Sequence, residues 1–258
     1  MQKGSLRPLA VLVLALFAQQ PAFAGPEVFQ VSTLAALMAG VYDGEVTVGE
    51  LRRRGDLGLG TFNRLDGEMA VIDGRVFQVK ITGEVLEADD SLRIPFAQVT
   101  AFRPQTTLTL DRGLDLPGLE RALDARVANP SRIQAARIEG RFAAIRTRSV
   151  AAQAQPYRPL TEIIPKEQAV FDETMAEGSL IGFRFPAQAA GVNVPGWHFH
   201  FLTADRKRGG HVLALALDGG TAALEEISEL RIALPGGIGT RTSATPYDPK
   251  KQATGTDR

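Results

Sequence analysis

Residues 197–202 read Trp-His-Phe-His-Phe-Leu and residues 209–213 read Gly-Gly-His-Val-Leu, and together they contain all three histidines of the chain. Alternate residues of a β-strand share a face, so His198 and His200 are predicted to point to one side and the phenylalanines to the other. The charged residues between the two segments end in Gly-Gly, which is typical of a turn. A hairpin paired about that turn places His200 opposite His211, so we expect the three imidazoles to converge on one face.

This histidine set predicts a metal site. Three neutral ring nitrogens with a fourth position left open are typical of catalytic zinc, whereas structural zinc sites are closed by four protein ligands. The chain contains no cysteine, which excludes disulfides, thiolate metal sites and thiol nucleophiles. Zinc is favoured because the set is all imidazole, although manganese, nickel or iron remain open by ligand type. The alternative is a packing or surface cluster of histidines.

Outward from this hairpin the sequence is rich in strands and poor in helices. Residues 69–72 and 75–79 are β-rich runs on either side of Asp73-Gly74, a dipeptide typical of tight hairpin turns. Further strands are predicted over residues 142–150, 180–185, 196–203, 211–218 and 230–234, and helices over residues 34–39, capped by Ser32, and 117–128. We therefore expect an α/β (α+β) protein of two domains with strand-rich mixed sheets.

The domain boundary is predicted in a connector, residues 153–165, which contains three prolines. We expect an N-terminal mixed-sheet domain over residues 25–155 and a C-terminal β-rich domain over residues 156–240 that carries the histidine hairpin. The Gly-, Thr- and Lys-rich end, residues 241–258, is predicted to be a flexible tail.

The first 24 residues are predicted to be a secretory signal. Lys3 and Arg7 precede an apolar stretch, residues 9–17, and Ala-Phe-Ala at residues 22–24 fits a cleavage site. The apolar stretch is shorter than the roughly 20 residues that span a bilayer, so no membrane association is expected after cleavage. We expect an exported protein, periplasmic or extracellular; a buried N-terminal helix is the alternative.

The composition is that of an ordinary soluble globular protein, with 44% hydrophobic and 22% charged residues. The 29 Lys and Arg balance 29 Asp and Glu, so no positive field attracts nucleic acid. Gly58-x-Gly60 continues to Asn63 rather than to glycine, which argues against a dinucleotide loop. A nucleophilic triad would need a histidine that is already assigned. These observations favour a small-molecule partner and no nucleic acid.

The predicted strand over residues 142–150 carries two arginines. Alternation places Arg146 and Arg148 on one face with Phe142 and Val150, which suggests that this end of the strand meets a charged ligand. The alternative is an edge strand whose arginines are solvated.

Several segments, taken together, are similar to one known family. They are residues 41–44 (Val-Tyr-Asp-Gly), 55–69 (Gly-Asp-x-Gly-x-Gly-Thr-Phe-Asn-x-Leu-Asp-Gly-Glu-Met), 95–97 (Pro-Phe-Ala), 147–150 (Thr-Arg-Ser-Val), 156–160 (Pro-Tyr-x-Pro-Leu) and the histidine block, residues 196–212. In this order they resemble the α-acetolactate decarboxylases, over nearly the whole chain after residue 24. The block at residues 55–69 and the histidine hairpin are the specific parts of the match.

The resemblance implies a zinc-dependent carboxy-lyase that converts (S)-2-acetolactate to (R)-acetoin and carbon dioxide, with the metal chelating the substrate ketone and hydroxyl as an electron sink. It also implies a homodimer formed through the N-terminal sheet. By motif match, metal ligands are implied at His198, His200 and His211, and active-site residues at Thr61, Glu68 and Arg148.

One feature departs from the family pattern. The family brings a glutamate from its C-terminal tail to the site, and here no glutamate follows Glu229. Asp248 and Asp257 are the tail carboxylates, so either an aspartate substitutes or this contribution is missing.

Other interpretations remain open on the residues alone. Glu68 fits a solvated carboxylate at a strand start, and Thr61 fits a turn hydroxyl bonded to the backbone. Three histidines also suit a zinc hydratase or hydrolase that activates water. A noncatalytic, cupin-like metal-binding module is the third possibility.

Overall fold

The computed structural model describes residues 26–234. The predicted signal, residues 1–24, lies outside this range, as do the predicted tail, residues 241–258, and both of its aspartates. Within residues 26–234, no helix is long and apolar enough to cross a membrane.

A seven-stranded mixed sheet forms the first layer. Residues 27–100 contain six of its strands and a separate pair of two-residue strands, in chain order β1 (Glu27–Val31), β2 (Val46–Thr47), β3 (Leu57–Thr61), β4 (Glu68–Ile72), β5 (Arg75–Val79), β6 (Val85–Glu87), β7 (Arg93–Ile94) and β8 (Phe96–Thr100). The seventh strand is β14 (Glu229–Ala233). The sheet order is β14-β1-β8-β3-β4-β5-β6, while β2 and β7 pair with each other. All neighbours in the seven-stranded sheet are antiparallel except β1 and β14, which are parallel.

The second sheet is built from long strands. They are β9 (Thr106–Asp115), β10 (Ile133–Val150), β11 (Gln168–Phe185), β12 (Gly196–Thr203) and β13 (Gly209–Ile227). Pairing runs β10-β11-β12-β13 and returns from β13 to β10, so these four strands close into a ring, and β9 also pairs with β13. Four α-helices accompany the two sheets within the described range: α1 (Leu34–Met38), α2 (Val48–Arg52), α3 (Leu116–Asp124) and α4 (Leu160–Glu167).

The core consists of four apolar clusters, one of which packs α1 against α4. Between the sheets, alternate residues of the first sheet such as Leu59 and Ile72 pack on Ile181 and Phe183 of the second. The other face of the first sheet is covered by a separate apolar cluster that includes α2, and the interior of the ring contains a third that includes α3. Full burial of each large apolar side chain stabilises the fold by about 1.5–3 kcal/mol.

The prediction of a strand-rich fold with mixed sheets and few helices is confirmed, but the predicted division at residue 155 does not follow the sheets. β9 and β10 precede that residue and belong to the second sheet, whereas β14 follows it and lies beside β1 in the first. The predicted connector also contains α4, whose Ile163 and Ile164 are buried. Proline content therefore marked a packed segment rather than a linker.

Local predictions mostly hold. Residues Asp73 and Gly74 have φ of 53° and 72°, so β4 and β5 form the predicted hairpin with a two-residue turn. The predicted helix over residues 117–128 is α3, which ends earlier, at Asp124. The cap of α1 is Thr33 rather than Ser32: the Thr33 side chain accepts from the N–H of Ala36. Ser32 instead has a φ of 62° and precedes the cap.

Candidate metal centre

The histidine hairpin forms as the sequence predicts. β12 and β13 pair with His200 opposite His211, and one potential ligand nitrogen from each of the three histidines lies within 4.8 Å of the others. The ring centroids of His198 and His200 are 5.1 Å apart, and those of His198 and His211 are 4.8 Å apart. The three imidazoles therefore converge in the way that one shared ion requires.

Hydrogen bonds orient all three rings. Nδ1 of His200 lies 2.6 Å from the carbonyl oxygen of Met69 on β4. Because a carbonyl can only accept, Nδ1 carries the proton and Nε2 keeps its lone pair, which is the tautomer a metal ligand needs. Nε2 of His198 lies 2.9 Å from Nδ1 of His211. Nδ1 of His198 is buried with no hydrogen-bond partner among the described residues.

The electrostatics of the centre favour neutral imidazoles. Burial, followed by the charge of Arg148, lowers the pKa of His198 to about 3. Burial is also the main cause that lowers the pKa values of His200 and His211 well below 6.5. Neutral, clustered nitrogen donors in an all-imidazole set suit a divalent transition metal, zinc included, so these three residues fit the group that the sequence predicted.

Arg148 lies beside this cluster on the next strand of the ring. Arg148 lies on β10 as the cross-strand partner of His211, and it is 5% exposed. The regular β10–β11 pairing keeps Arg146 on the same side of β10 as Arg148, as the alternation predicts, but the two side chains have different surroundings. Arg146 is exposed and pairs with Asp172 at 2.7 Å. The edge-strand alternative is wrong, since β10 pairs with both β11 and β13.

The first sheet supplies the other two predicted residues. Thr61 and Glu68 are direct cross-strand partners on β3 and β4. Oε2 of Glu68 lies 3.5 Å from Nε2 of His200, so this carboxylate faces the histidine cluster rather than open solvent. The Thr61 hydroxyl donates to the carbonyl of Gly67 at 2.7 Å, which is the turn contact that the sequence left open, and Thr61 also lines the cavity.

All six predicted residues line one cavity between the sheets. The volume of this cavity is about 650 Å³ when the solvent-filled mouth is included. The rest of the lining forms an apolar wall, with side chains from α1, α4, β8, β10 and connecting segments: Leu34, Leu37, Met38, Leu65, Phe96, Val150, Leu160, Ile164 and Val194. This wall was not predicted from the sequence, although the spacing of Leu34, Leu37 and Met38 in the short helix is a signal for an apolar face.

This arrangement defines a class: a two-sheet protein whose cavity joins a candidate trihistidine metal centre to an arginine, a carboxylate and an apolar wall. Residues 28–239 match the family described as alpha-acetolactate decarboxylase. The alpha-acetolactate decarboxylase of Methylococcus capsulatus is 43% identical over 209 residues, which cover 81% of this chain and 80% of that one. The relative of that name from Methanosarcina mazei is 41% identical over 207 residues, covering 80% and 72%.

A solved structure agrees with these relatives. The crystal structure of alpha-acetolactate decarboxylase from Bacillus subtilis strain 168 superposes with a TM-score of 0.80 at 33% identity, covering 82% of this chain and 90% of that one. The chain belongs to the alpha-acetolactate decarboxylase family, and it is a decarboxylase.

Proposed function

We propose that this protein converts (S)-2-acetolactate to (R)-acetoin and carbon dioxide, with Zn²⁺ held by His198, His200 and His211. The observation that carries the proposal is the shared cavity: three neutral imidazole donors lie beside Arg148 and Glu68 in a space whose remaining lining is mainly apolar. Family membership supplies the reaction class, and the donor set supports the choice of metal.

The chemistry explains why a cation and a buried arginine belong together. When carbon dioxide leaves acetolactate, the electron pair of the broken bond delocalises toward the neighbouring ketone oxygen. A bound divalent cation would supply Lewis-acid stabilisation of that negative charge. The protein holds its ligands ready for this task, because the Met69 carbonyl fixes the His200 tautomer and burial keeps all three rings neutral.

Arg148 is proposed to bind the substrate carboxylate. Its planar guanidinium offers several donors in a fixed geometry that suits a carboxylate, and its burial strengthens each charged contact. Its positive charge also helps to keep the neighbouring histidines unprotonated. The same side chain thus binds substrate and favours the ligand state of the rings.

Glu68 is proposed to exchange the proton of the substrate hydroxyl. Its carboxylate lies beside Nε2 of His200, at the boundary between the histidine side and the first sheet.

The reaction consumes one proton at the carbon that loses carbon dioxide, and a chiral product requires that this proton arrive on one face. The apolar wall fixes the alkyl groups of the substrate and so limits which face is open.

The test uses the purified protein with racemic acetolactate. We expect one molecule of carbon dioxide, measured by gas release, for each molecule of acetoin. We expect the acetoin to be predominantly of R configuration, as measured by chiral chromatography. Ester hydrolysis or carbon dioxide hydration without acetoin would instead support the zinc hydratase or hydrolase alternative. Metal binding with no turnover of any of these compounds would support a noncatalytic module.

Three further expectations remain proposals. The pattern of residues 1–24 supports export, and mass spectrometry of the protein from the periplasmic or extracellular fraction should show a chain that begins at Gly25. Family resemblance supports a homodimer, which light scattering tests. The balanced charge supports the absence of nucleic-acid binding, which a gel-shift assay tests.

A further inference from the structure

A buried amide cluster lies where the two sheets meet. It consists of Gln30 on β1, Gln98 on β8 and Asn193 in the segment between β11 and β12, and each of these residues is at most 1% exposed. Gln30 and Gln98 are direct cross-strand partners. The Asn193 amide donates to Oε1 of Gln30 at 2.8 Å and to Oε1 of Gln98. One side chain of the β11–β12 connection therefore bridges two strands of the first sheet.

Hydrogen bonds fix the orientation of Gln30 and Asn193 in this cluster. Nε2 of Gln30 donates to the carbonyls of Ser32 and Val192, at 2.8 and 2.9 Å, so Oε1 of Gln30 has to face Asn193. Oδ1 of Asn193 accepts from the N–H of Val194 at 2.7 Å. Both donors and the acceptor of the Asn193 amide are thus used, and no apolar side chain of similar size can replace these bonds without leaving buried groups unpaired.

The same connection holds the apolar wall of the cavity. The first N–H groups of a helix have no partner within the helix. In α1, the N–H groups of Leu34 and Ala35 donate to the carbonyls of Val192 and Gly191, each at 2.9 Å. Both α1 and the β11–β12 connection contribute side chains to the cavity lining: Leu34, Leu37 and Met38 come from α1, and Val194 comes from the connection. The amide cluster therefore anchors a wall to which it contributes no surface.

We infer that Asn193 is a positioning residue for the decarboxylation: it sets the distance between the apolar wall and the histidine–arginine side of the cavity. Asn193 itself is not among the described residues that line the cavity. The inference rests on the proposed function, in which this wall orients the alkyl groups of the substrate. A displacement of about 1 Å of a positioning element can cost about a hundredfold in rate.

The experiment compares Asn193→Leu with Gln134→Leu in the full-length protein. Gln134 is another buried amide, 3% exposed, on β10 opposite Arg184 and Glu226 and away from the cavity wall. We expect both variants to lower the melting temperature. Only Asn193→Leu should lower kcat/KM for acetolactate, by about ten- to a hundredfold. Bound zinc per chain, and the visible absorption of the cobalt-substituted protein, should equal those of the wild type in both.

Gln98→Met provides a milder variant if Asn193→Leu fails to fold, because it removes one acceptor of Asn193 and keeps the other two bonds. We expect it to reduce kcat/KM in the same direction, by several-fold. Equal kcat/KM in the Asn193 or Gln98 variant and the Gln134 control would overturn the inference, as would a loss of zinc that parallels the loss of turnover. A wild-type protein that forms no acetoin would overturn the proposed function first, and that result is visible before any variant is made.

Discussion

The two sheets contribute to the cavity in different ways. The second sheet provides His198, His200 and His211 from one hairpin and Arg148 from the strand paired with it, so its groups are adjacent through backbone hydrogen bonds. The first sheet provides groups that act on these: the Met69 carbonyl on His200 and the Glu68 carboxylate beside the same ring. In the proposed function, binding of the metal and of the substrate carboxylate therefore depends on the second sheet, whereas the orientation of the ligands depends on contacts between both sheets.

Removal of a ligand should have the largest effect. We expect His200→Ala to lose bound zinc and to reduce acetoin formation at least about a thousandfold, because it removes a nitrogen donor and the contact to Met69 together. Zinc per chain by atomic absorption and the rate of acetoin formation check this. Lys207→Ala, in the exposed turn of the same hairpin, should retain both; a His200→Ala protein with full zinc content would break the assignment.

Arg148→Ala should separate substrate binding from metal binding. We expect zinc to be retained and kcat/KM to fall by about a hundred- to a thousandfold, since a buried charge that faces the substrate is lost. The matched control is Arg146→Ala, two residues away on the same strand, whose exposed side chain pairs with Asp172. If the two variants have similar turnover, Arg148 does not bind the carboxylate.

Glu68→Gln tests what the first sheet adds. The change keeps the shape of the side chain and removes its charge beside His200, so we expect about a ten- to hundredfold loss of turnover with a smaller loss of zinc affinity. Glu84→Gln, at an exposed position before β6, is the control. Unchanged kinetics in Glu68→Gln would mean that the first sheet contributes only wall and backbone.

The pH dependence of the metal-free protein tests the burial of the rings. Because the folded-state pKa of His198 is about 3 and those of His200 and His211 are also lowered, the unfolded chain binds more protons below about pH 6.5. Stability is therefore lost as the pH falls, by up to about 1.4 kcal/mol per pH unit for each histidine. In the presence of a chelator, the urea concentration at the midpoint of unfolding should be lower at about pH 5 than at about pH 7. Equal midpoints would show that the rings are solvated.

Thr61→Val should have the smallest effect. The variant loses the hydrogen bond to Gly67, which we expect to cost about 1 kcal/mol of unfolding free energy and to change turnover by no more than about threefold. Thermal unfolding and steady-state kinetics check the two effects. A loss of turnover as large as that of Glu68→Gln would place the Thr61 hydroxyl in the reaction.

The same contrast explains what could be predicted from the sequence. The histidine hairpin is local, and its turn fixes which residues face each other, so His200 opposite His211 was predictable. Arg146 and Arg148 were indistinguishable because they lie on the same side of β10, and the packing that buries only Arg148 comes from distant parts of the chain. Contacts between the sheets were harder still. Asn193 lies 163 residues from Gln30 and 95 from Gln98 in the chain, and no local pattern connects them. The pairing of β14 with β1 was hidden for the same reason.

If turnover depends on one divalent ion held by three imidazoles, zinc content and the rate of acetoin formation should change together. Both are measured as a chelator strips the protein and zinc is then added back in steps. We expect the rate to be proportional to bound zinc up to one ion per chain, and we expect His200→Ala to recover neither quantity. Full acetoin formation by protein from which all metal has been removed would show that turnover does not need the ion.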